Sequence, residues 1–171
     1  MATWAPKLYA YYAEKIGTLY GHDKTLKPIF RNSVFSVTTY NLGPRTVCFR
    51  HTIFANLPFG LCAVTALGSY DATKGGHLVL WECRLVIEFP PGSTILLASR
   101  VIAHSNVPVQ PDETWYSVVQ YSAGALFRWV ENGLQPSRDY LHSLSEAELS
   151  KVRENDANRW AFGRSLLPVF S

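Results

Sequence analysis

The sequence predicts a mainly β domain with a helix towards each end, of the sandwich or jelly-roll type. After residue 32 the chain becomes a series of about eight short runs rich in Val, Ile, Thr, Phe and Tyr, separated by turns containing Gly, Pro and Asn. Aromatic residues make up 13% of the chain, and there is a single Met. No helical pattern alternates with these runs, as βαβ units would require.

The predicted elements follow the chain in order. We expect a first helix over about residues 6–20, because large apolar residues recur there at helical spacing after Pro6. Ser145 and Glu148 form a capping-box pattern that predicts a last helix over about residues 145–162. The β core is expected at about 33–131, within a single domain over 1–171. The predicted strands lie near residues 34–40, 46–49, 61–67, 77–82, 85–89, 94–98, 115–121 and 125–130.

Charge and cysteine content narrow the possible functions. The net charge is +3 and no run of like charges occurs, so we expect no dedicated nucleic-acid partner. Cys48, Cys62 and Cys83 are an odd number without CxxC spacing, which predicts reduced, buried thiols and an intracellular, cytoplasmic location. We also expect a soluble protein, because the chain begins without an apolar targeting segment and no apolar run approaches the ~20 residues of a membrane span.

Two of the five histidines are candidate metal ligands. His51 and His104 each close an apolar run where a strand is predicted to give way to a loop. His22 and His142 lie in polar connecting segments, and His77 opens a predicted strand. A pair of histidines needs at least one further ligand, often a carboxylate, to hold Fe(II) with open positions.

Four separated blocks of sequence carry a family resemblance. Residues 51–57, 75–81, 86–94 and 104–109 resemble, in that order, the Fe(II)/2-oxoglutarate-dependent dioxygenase superfamily. Within it they are most similar to a fungal group of prolyl-hydroxylase-like and TET/JBP-like proteins, and residues 4–7 and 126–133 extend the likeness over most of the chain. The resemblance implies a double-stranded β-helix, the jelly-roll or cupin-like fold.

The same resemblance identifies the site residues and two departures from the family. His51 and His104 match the two iron-binding histidines. Ile53 stands where the family carries the aspartate of its His-x-Asp motif, and Trp115 stands where relatives of this type carry the arginine that pairs with 2-oxoglutarate. Neither an alkyl side chain nor an indole can replace the lost charge. We therefore expect a degenerate metal-binding triad and no ordinary use of 2-oxoglutarate.

Four charged residues are weighed as replacements for the lost groups. Arg100 lies four residues before His104 and is a candidate anion partner. Glu82 is predicted on the strand face shared by Leu78 and Leu80, and Asp71 and Glu113 lie in predicted loops. An ordinary solvated or ion-paired role is the favoured alternative for each of them.

The sequence supports a repurposed enzyme, with two alternatives left open. In the favoured interpretation a divalent transition metal, Fe or Cu, is held by His51 and His104, and no catalytic side chain is assigned. The first alternative is a catalytically inactive binding protein, and the second is an active 2-oxoglutarate oxygenase with a non-standard site. The expected partner is a small, largely apolar or aromatic substrate, with the oligomeric state left open. Its predicted contacts are Ile53, Trp115, Leu78, Leu80, Tyr116, Tyr121 and Arg100.

Overall fold

The computed structural model describes residues 1–168 and contains two compact units. The β unit is Val37–Ser122. The helical unit combines Met1–Ser36 with the chain from Ala123 onwards. The prediction of a single domain stays a prediction, and each unit is described separately.

The β unit contains seven strands in two antiparallel sheets. One sheet has the order β1-β7-β2-β5 and the other the order β4-β3-β6. The strands are β1 (Val37–Asn41), β2 (Cys62–Ser69), β3 (Leu78–Leu80), β4 (Leu85–Ile87), β5 (Thr94–Leu97), β6 (His104–Asn106) and β7 (Thr114–Tyr121).

Residues 48–51 extend the second sheet without forming a regular strand. His51 pairs antiparallel with His104, and the Asn106 N–H donates to the Cys48 carbonyl, so this segment lies beside β6, whereas Arg45 pairs with Trp115 of β7. Along the chain the members then alternate between the two sheets except at the hairpin of β3 and β4, which both lie in the second sheet, and this is the arrangement of an eight-stranded jelly roll. The predicted fold class, mainly β with flanking helices and a double-stranded β-helix, is confirmed.

The core of the β unit follows from strand alternation. Cys62, Val64 and Ala66 lie on one face of β2 and are buried. Leu78 and Leu80 face them from β3, and Leu97 and Phe89 complete the cluster. Because side chains alternate between the two faces of a strand, the apolar set of each strand faces the interior.

The helical unit packs around aromatic rings. It contains α1 (Pro6–His22), α2 (Gly124–Glu131), α3 (Ser137–His142) and α4 (Glu146–Ser165). Phe127 of α2 is fully buried, with its ring centre 5.4 Å from that of Tyr11 and 4.7 Å from that of Tyr12. Ser145 and Glu148 form the predicted capping box at the start of α4. No helix within residues 1–168 is both long enough and apolar enough to cross a bilayer.

The strand predicted over residues 125–130 is wrong, because this segment is helix α2. Its short run of apolar and aromatic residues is compatible with a strand, but the segment is helical and packs on α1. Phe127 stacks on Tyr11, and Glu131, four residues later, accepts a hydrogen bond from the Tyr11 hydroxyl. Residues four apart lie about 6 Å apart along a helix but about 13 Å apart along a strand, so the contact of both with one Tyr11 side chain fits the helix.

Three further predictions in the β unit need correction. Residues 46–49 form no regular strand, because the Asn106 side chain binds the Cys48 N–H and the Thr46 carbonyl, two of their backbone hydrogen-bonding groups.

The strand predicted over 77–82 is β3 alone, since the chain turns at residues 81–84 with Arg84 at a φ of 54°. Glu82 therefore lies in a turn and not on the face of Leu78 and Leu80. Cys83, in the same turn, is exposed where a buried thiol was expected.

Candidate metal site

His51 and His104 lie side by side on neighbouring members of one sheet. The His51 N–H donates to the His104 carbonyl at 3.1 Å, and the His104 N–H donates to the His51 carbonyl at 3.0 Å. Two residues that exchange both backbone hydrogen bonds are directly opposite, and their side chains lie on the same face. The ring centres are accordingly 4.4 Å apart, with 50° between the ring planes.

Backbone carbonyls fix the same tautomer in both rings. His51 Nδ1 lies 2.7 Å from the Phe49 carbonyl oxygen, and His104 Nδ1 lies 3.1 Å from that of Ile102. A carbonyl can only accept, so each Nδ1 carries the proton and donates it. In a neutral ring the lone pair is then on Nε2, which is the arrangement of a metal-binding histidine oriented by a second partner.

Burial keeps His104 in its neutral form. The residue is 7% exposed. Burial lowers the pKa of His104, and the neighbouring His51 lowers it further, while the Ile102 carbonyl and Glu82 oppose the shift. A neutral imidazole is the form that binds a metal ion. The other histidine, His51, is exposed, so the pair has one ring in the interior and one facing solvent.

Asn106 holds the segment that carries His51. Its Oδ1 accepts the Cys48 N–H at 2.6 Å, and its Nδ2 donates to the Thr46 carbonyl at 3.0 Å. Asn106 is 7% exposed and lies two residues after His104, on the same face of β6. One side chain therefore replaces part of the missing strand ladder and fixes the position of residues 46–48.

The two histidines line a cavity of about 70 Å³. Its walls include Ile53, Leu78 and Trp115, and its polar groups include Asn41 and Ser117. Asn41 Nδ2 donates to Ser117 Oγ at 2.7 Å. Pockets that enclose whole drug-sized ligands measure about 300–1,000 Å³. This cavity therefore has room for only a small group beside the histidines.

Ile53 and Trp115 both line the cavity. They are the uncharged residues at the positions where the resemblance implies an aspartate and an arginine. Ile53 is half-buried, with its N–H donating to the Ser99 carbonyl at 2.8 Å. Trp115, at 3% exposure, fills space next to Gly76, where an added Cβ would lie 3.2 Å from the indole Cδ1. Within the described chain, the side chains that line the cavity include no Lys or Arg.

The carboxylates considered as replacements have other partners. Glu82 Oε2 accepts the Ala103 N–H at 2.6 Å, and its other oxygen lies 3.5 Å from Arg50. Asp71 binds Thr73 and Lys74. Glu113 accepts the backbone N–H groups of Asp71 and Gln110, so it closes a loop. Residues 1–168 contain no group of three His, Cys, Asp or Glu side chains that could hold one ion.

The predicted substrate contacts divide into two sets. Ile53, Trp115 and Leu78 line the cavity with the histidines. Leu80 and Tyr121 pack in or against the core cluster, and Tyr121 Oη accepts from Thr39 at 3.4 Å. Tyr116 faces the opposite side of β7 from Trp115, because neighbouring residues of a strand alternate. Arg100 lies in a turn after β5. The last four are absent from the cavity lining.

Sequence reasoning missed the polar groups of the cavity, Asn41, Asn106 and Ser117. A signal for two of them was present. Asn106 follows His104 by two residues and Ser117 follows Trp115 by two, so strand alternation places each on the same face as a residue already singled out.

Comparison with known proteins adds little beyond the fold. No family model and no curated protein matches the chain. Among solved structures, NgTET1 in complex with 5mC DNA is 17% identical over 66% of this chain and 46% of its own, with a TM-score of 0.47. A viral collagen prolyl hydroxylase from Paramecium bursaria Chlorella virus-1, in a 2OG complex, is 12% identical over 63% of this chain and 69% of its own, with a TM-score of 0.33.

The chain thus spans less than half of the NgTET1 chain that it matches. At these TM-scores the fold assignment depends on the strand order of the β unit itself. The resemblance to a fungal group stays a prediction.

Proposed function

We propose that this protein is a metal-dependent enzyme built on a dioxygenase-like β-helix, with the metal held by His51 and His104. The observation that carries the proposal is that two neighbouring rings at one cavity both have Nδ1 occupied by a backbone carbonyl and Nε2 free. A histidine kept only for packing has no need of this shared orientation.

The ring spacing fits a shared ion. Two imidazoles bound at about a right angle, with bonds of about 2.1 Å, would place their ring centres about 4.5 Å apart. The observed separation is 4.4 Å. Imidazole ligands suit Fe, Cu, Zn and Ni, and we favour Fe or Cu, with water or substrate atoms completing the coordination. When bound, such an ion supplies Lewis-acid or oxygen-activating chemistry.

The residues present do not fit 2-oxoglutarate in its ordinary role. A buried carboxylate without a partner costs several kcal/mol, and no Lys or Arg of the described chain lines the cavity. Trp115, at the position where the resemblance implies an arginine, lines the cavity, and about 70 Å³ leaves little room for a dicarboxylate. Release of succinate by the purified protein with Fe(II) and any substrate would contradict this part of the proposal.

The protein's own residues would position a small, largely apolar or aromatic substrate. Ile53, Leu78 and Trp115 would exclude water from the reacting group, and the amide of Asn41 and the hydroxyl of Ser117 could bind one polar atom of it. Because the cavity is small, the rest of the substrate would remain at the opening beside the exposed His51.

Metal analysis tests the proposal directly. Protein purified without chelators and loaded with Fe(II) or Cu(II) should bind about one ion per chain. His51→Ala and His104→Ala should each abolish that binding, while the exposed His22→Ala should leave it unchanged. Absence of metal from the unmutated protein under all loading conditions would overturn the proposal.

Ile53 offers a gain-of-function test. Ile53→Asp places a carboxylate at the family's third-ligand position and should tighten metal binding about tenfold or more, by calorimetry. Ile53→Asn has nearly the same shape without the charge and is the matched control. Equal affinities for the two variants would show that residue 53 does not face the ion.

A non-catalytic binding protein is the second candidate. It is favoured by the lack of any three-residue ligand cluster within residues 1–168. In that case His104 is a core residue, His51 is a surface residue, and both rings only bind their backbone carbonyls. Metal-free protein under all loading conditions, with His104→Ala less stable than His51→Ala, would support it.

A further inference from the structure

A second cavity, of about 310 Å³, lies in the helical unit and is lined by residues of α2, α3 and α4. Its volume reaches the range of about 300–1,000 Å³ that is typical of small-molecule sites. None of its lining residues belongs to the β unit, so it is independent of the histidine site. Nothing in the proposed metal chemistry uses it.

The face of α4 that lines this cavity is polar. Four residues of α4 line it, and they follow the i, i+3, i+4, i+7 spacing of one helical face: Val152, Asn155, Asp156 and Arg159. A helix that packs on a core normally carries apolar residues at these positions. Here three of the four are polar or charged, and Gly163 is the one buried residue of α4. This pattern suits a polar ligand better than a packed interface.

Two of the cavity's charges compensate each other. Arg159 Nη2 lies 2.6 Å from Glu131 Oε2, and the Tyr11 hydroxyl donates to Glu131 Oε1 at 2.6 Å. Burial and the hydrogen bond to Glu131 raise the pKa of Tyr11, so it remains a protonated donor. Glu131 is thus held from two sides and is not the charge that a ligand would meet.

Arg128 and Asp156 are the charges that remain. They line the cavity from α2 and α4. Both lie at exposed positions, and within residues 1–168 neither has an ion-pair partner within 4.0 Å, so they form no ion pair with each other. Asp156 makes no ion pair with Arg159 and only raises the pKa of its guanidinium group by electrostatic attraction over a longer distance. Leu141 and Val152 supply apolar surface in the same cavity.

We propose that this cavity binds a free amino acid with a small apolar side chain. Its carboxylate would pair with Arg128 and its ammonium group with Asp156, so that one zwitterion neutralises both unpaired charges. The apolar side chain would lie against Leu141 and Val152. A ligand with only one of the two charges would leave the other protein charge without a partner.

The test uses the full-length protein and L-leucine as the probe. Leucine should raise the melting temperature and bind measurably by calorimetry, whereas isoamylamine, which lacks the carboxylate, and isocaproate, which lacks the ammonium group, should bind about tenfold or more weakly. Arg128→Gln should weaken leucine binding about tenfold, and Asp156→Asn should do the same.

Matched controls lie on α4, outside the cavity lining. Arg153→Gln and Glu154→Gln change the same types of charge at exposed positions outside the cavity lining, and they should bind leucine as the unmutated protein does. The proposal is overturned if leucine does not bind, if either analogue binds as tightly, or if the cavity variants and the controls behave alike.

Discussion

Removal of the Asn106 side chain should loosen the segment that carries His51. Asn106→Ala deletes the hydrogen bonds to the Cys48 N–H and the Thr46 carbonyl. It leaves the backbone bond from the Asn106 N–H to the Cys48 carbonyl at 3.3 Å, so the segment is weakened and not released. The variant therefore removes the side-chain hydrogen bonds to residues 46–48 and leaves the backbone pairing of His51 with His104 in place.

The expected cost follows from the two lost bonds. Each hydrogen bond contributes about 0.5–1.5 kcal/mol, and a buried donor or acceptor left unpaired costs about 1–3 kcal/mol. Water can reach this partly exposed segment, which reduces the second contribution. We expect a loss of about 2–4 kcal/mol in the free energy of unfolding. For a chain of this length that corresponds to a fall of about 5–15 °C in Tm.

Urea unfolding measures the loss of stability, and calorimetric titration with metal measures the effect on the His51–His104 pair. Asn106→Asp keeps an acceptor for the Cys48 N–H but buries a carboxylate oxygen against the Thr46 carbonyl, so it should be no more stable than Asn106→Ala. Ser105→Ala is the control, because its hydroxyl only accepts the exposed Trp81 Nε1–H at 3.1 Å. A change below about 0.5 kcal/mol in Asn106→Ala, similar to that expected of a surface substitution, would refute the reasoning.

Three other substitutions test features of the two units. Gly76→Ala should destabilise the protein by about 1–3 kcal/mol in urea unfolding, because Gly76 has a φ of 71° and a Cβ there would lie 2.5 Å from the Tyr70 ring. Tyr11→Phe should cost about 1.5–3 kcal/mol by removing the bond to Glu131, and Tyr9→Phe should cost less than about 0.5 kcal/mol. The pKa of Asp71 is lowered to about 2 by its hydrogen bonds to Lys74 and Thr73, so its contribution to stability is present above about pH 4 and is lost as the pH falls towards 2. Asp71→Asn should remove that part of the pH dependence.

The strand pattern made most of the β fold predictable. The observed strands β2, β5 and β7 begin and end within two residues of their predicted bounds, because Val, Ile and aromatic residues alternate there between well-marked turns. β1 begins three residues later than expected. The capping box at Ser145 is equally local and was found for the same reason. Local patterns are readable because each depends on a few neighbouring residues.

The failures came where a distant residue decides the local structure. Residues 125–130 are helical because Phe127 and Glu131 both contact Tyr11, which is more than a hundred positions earlier. Residues 46–49 are irregular because Asn106 binds their backbone. Both contacts join segments far apart in the chain, and intrinsic propensity gives no signal of them.

The two histidines could be singled out from sequence, but the shared orientation of their rings could not. Their orientation depends on carbonyls of Phe49 and Ile102, each two residues before the ring it fixes. Every residue has a carbonyl, so no residue type marks this role. A carboxylate that oriented these rings would be lost by a single substitution. Support from a backbone carbonyl is unaffected by substitution of the residue that carries it, so the shared tautomer of the two rings does not depend on the side chains at positions 49 and 102.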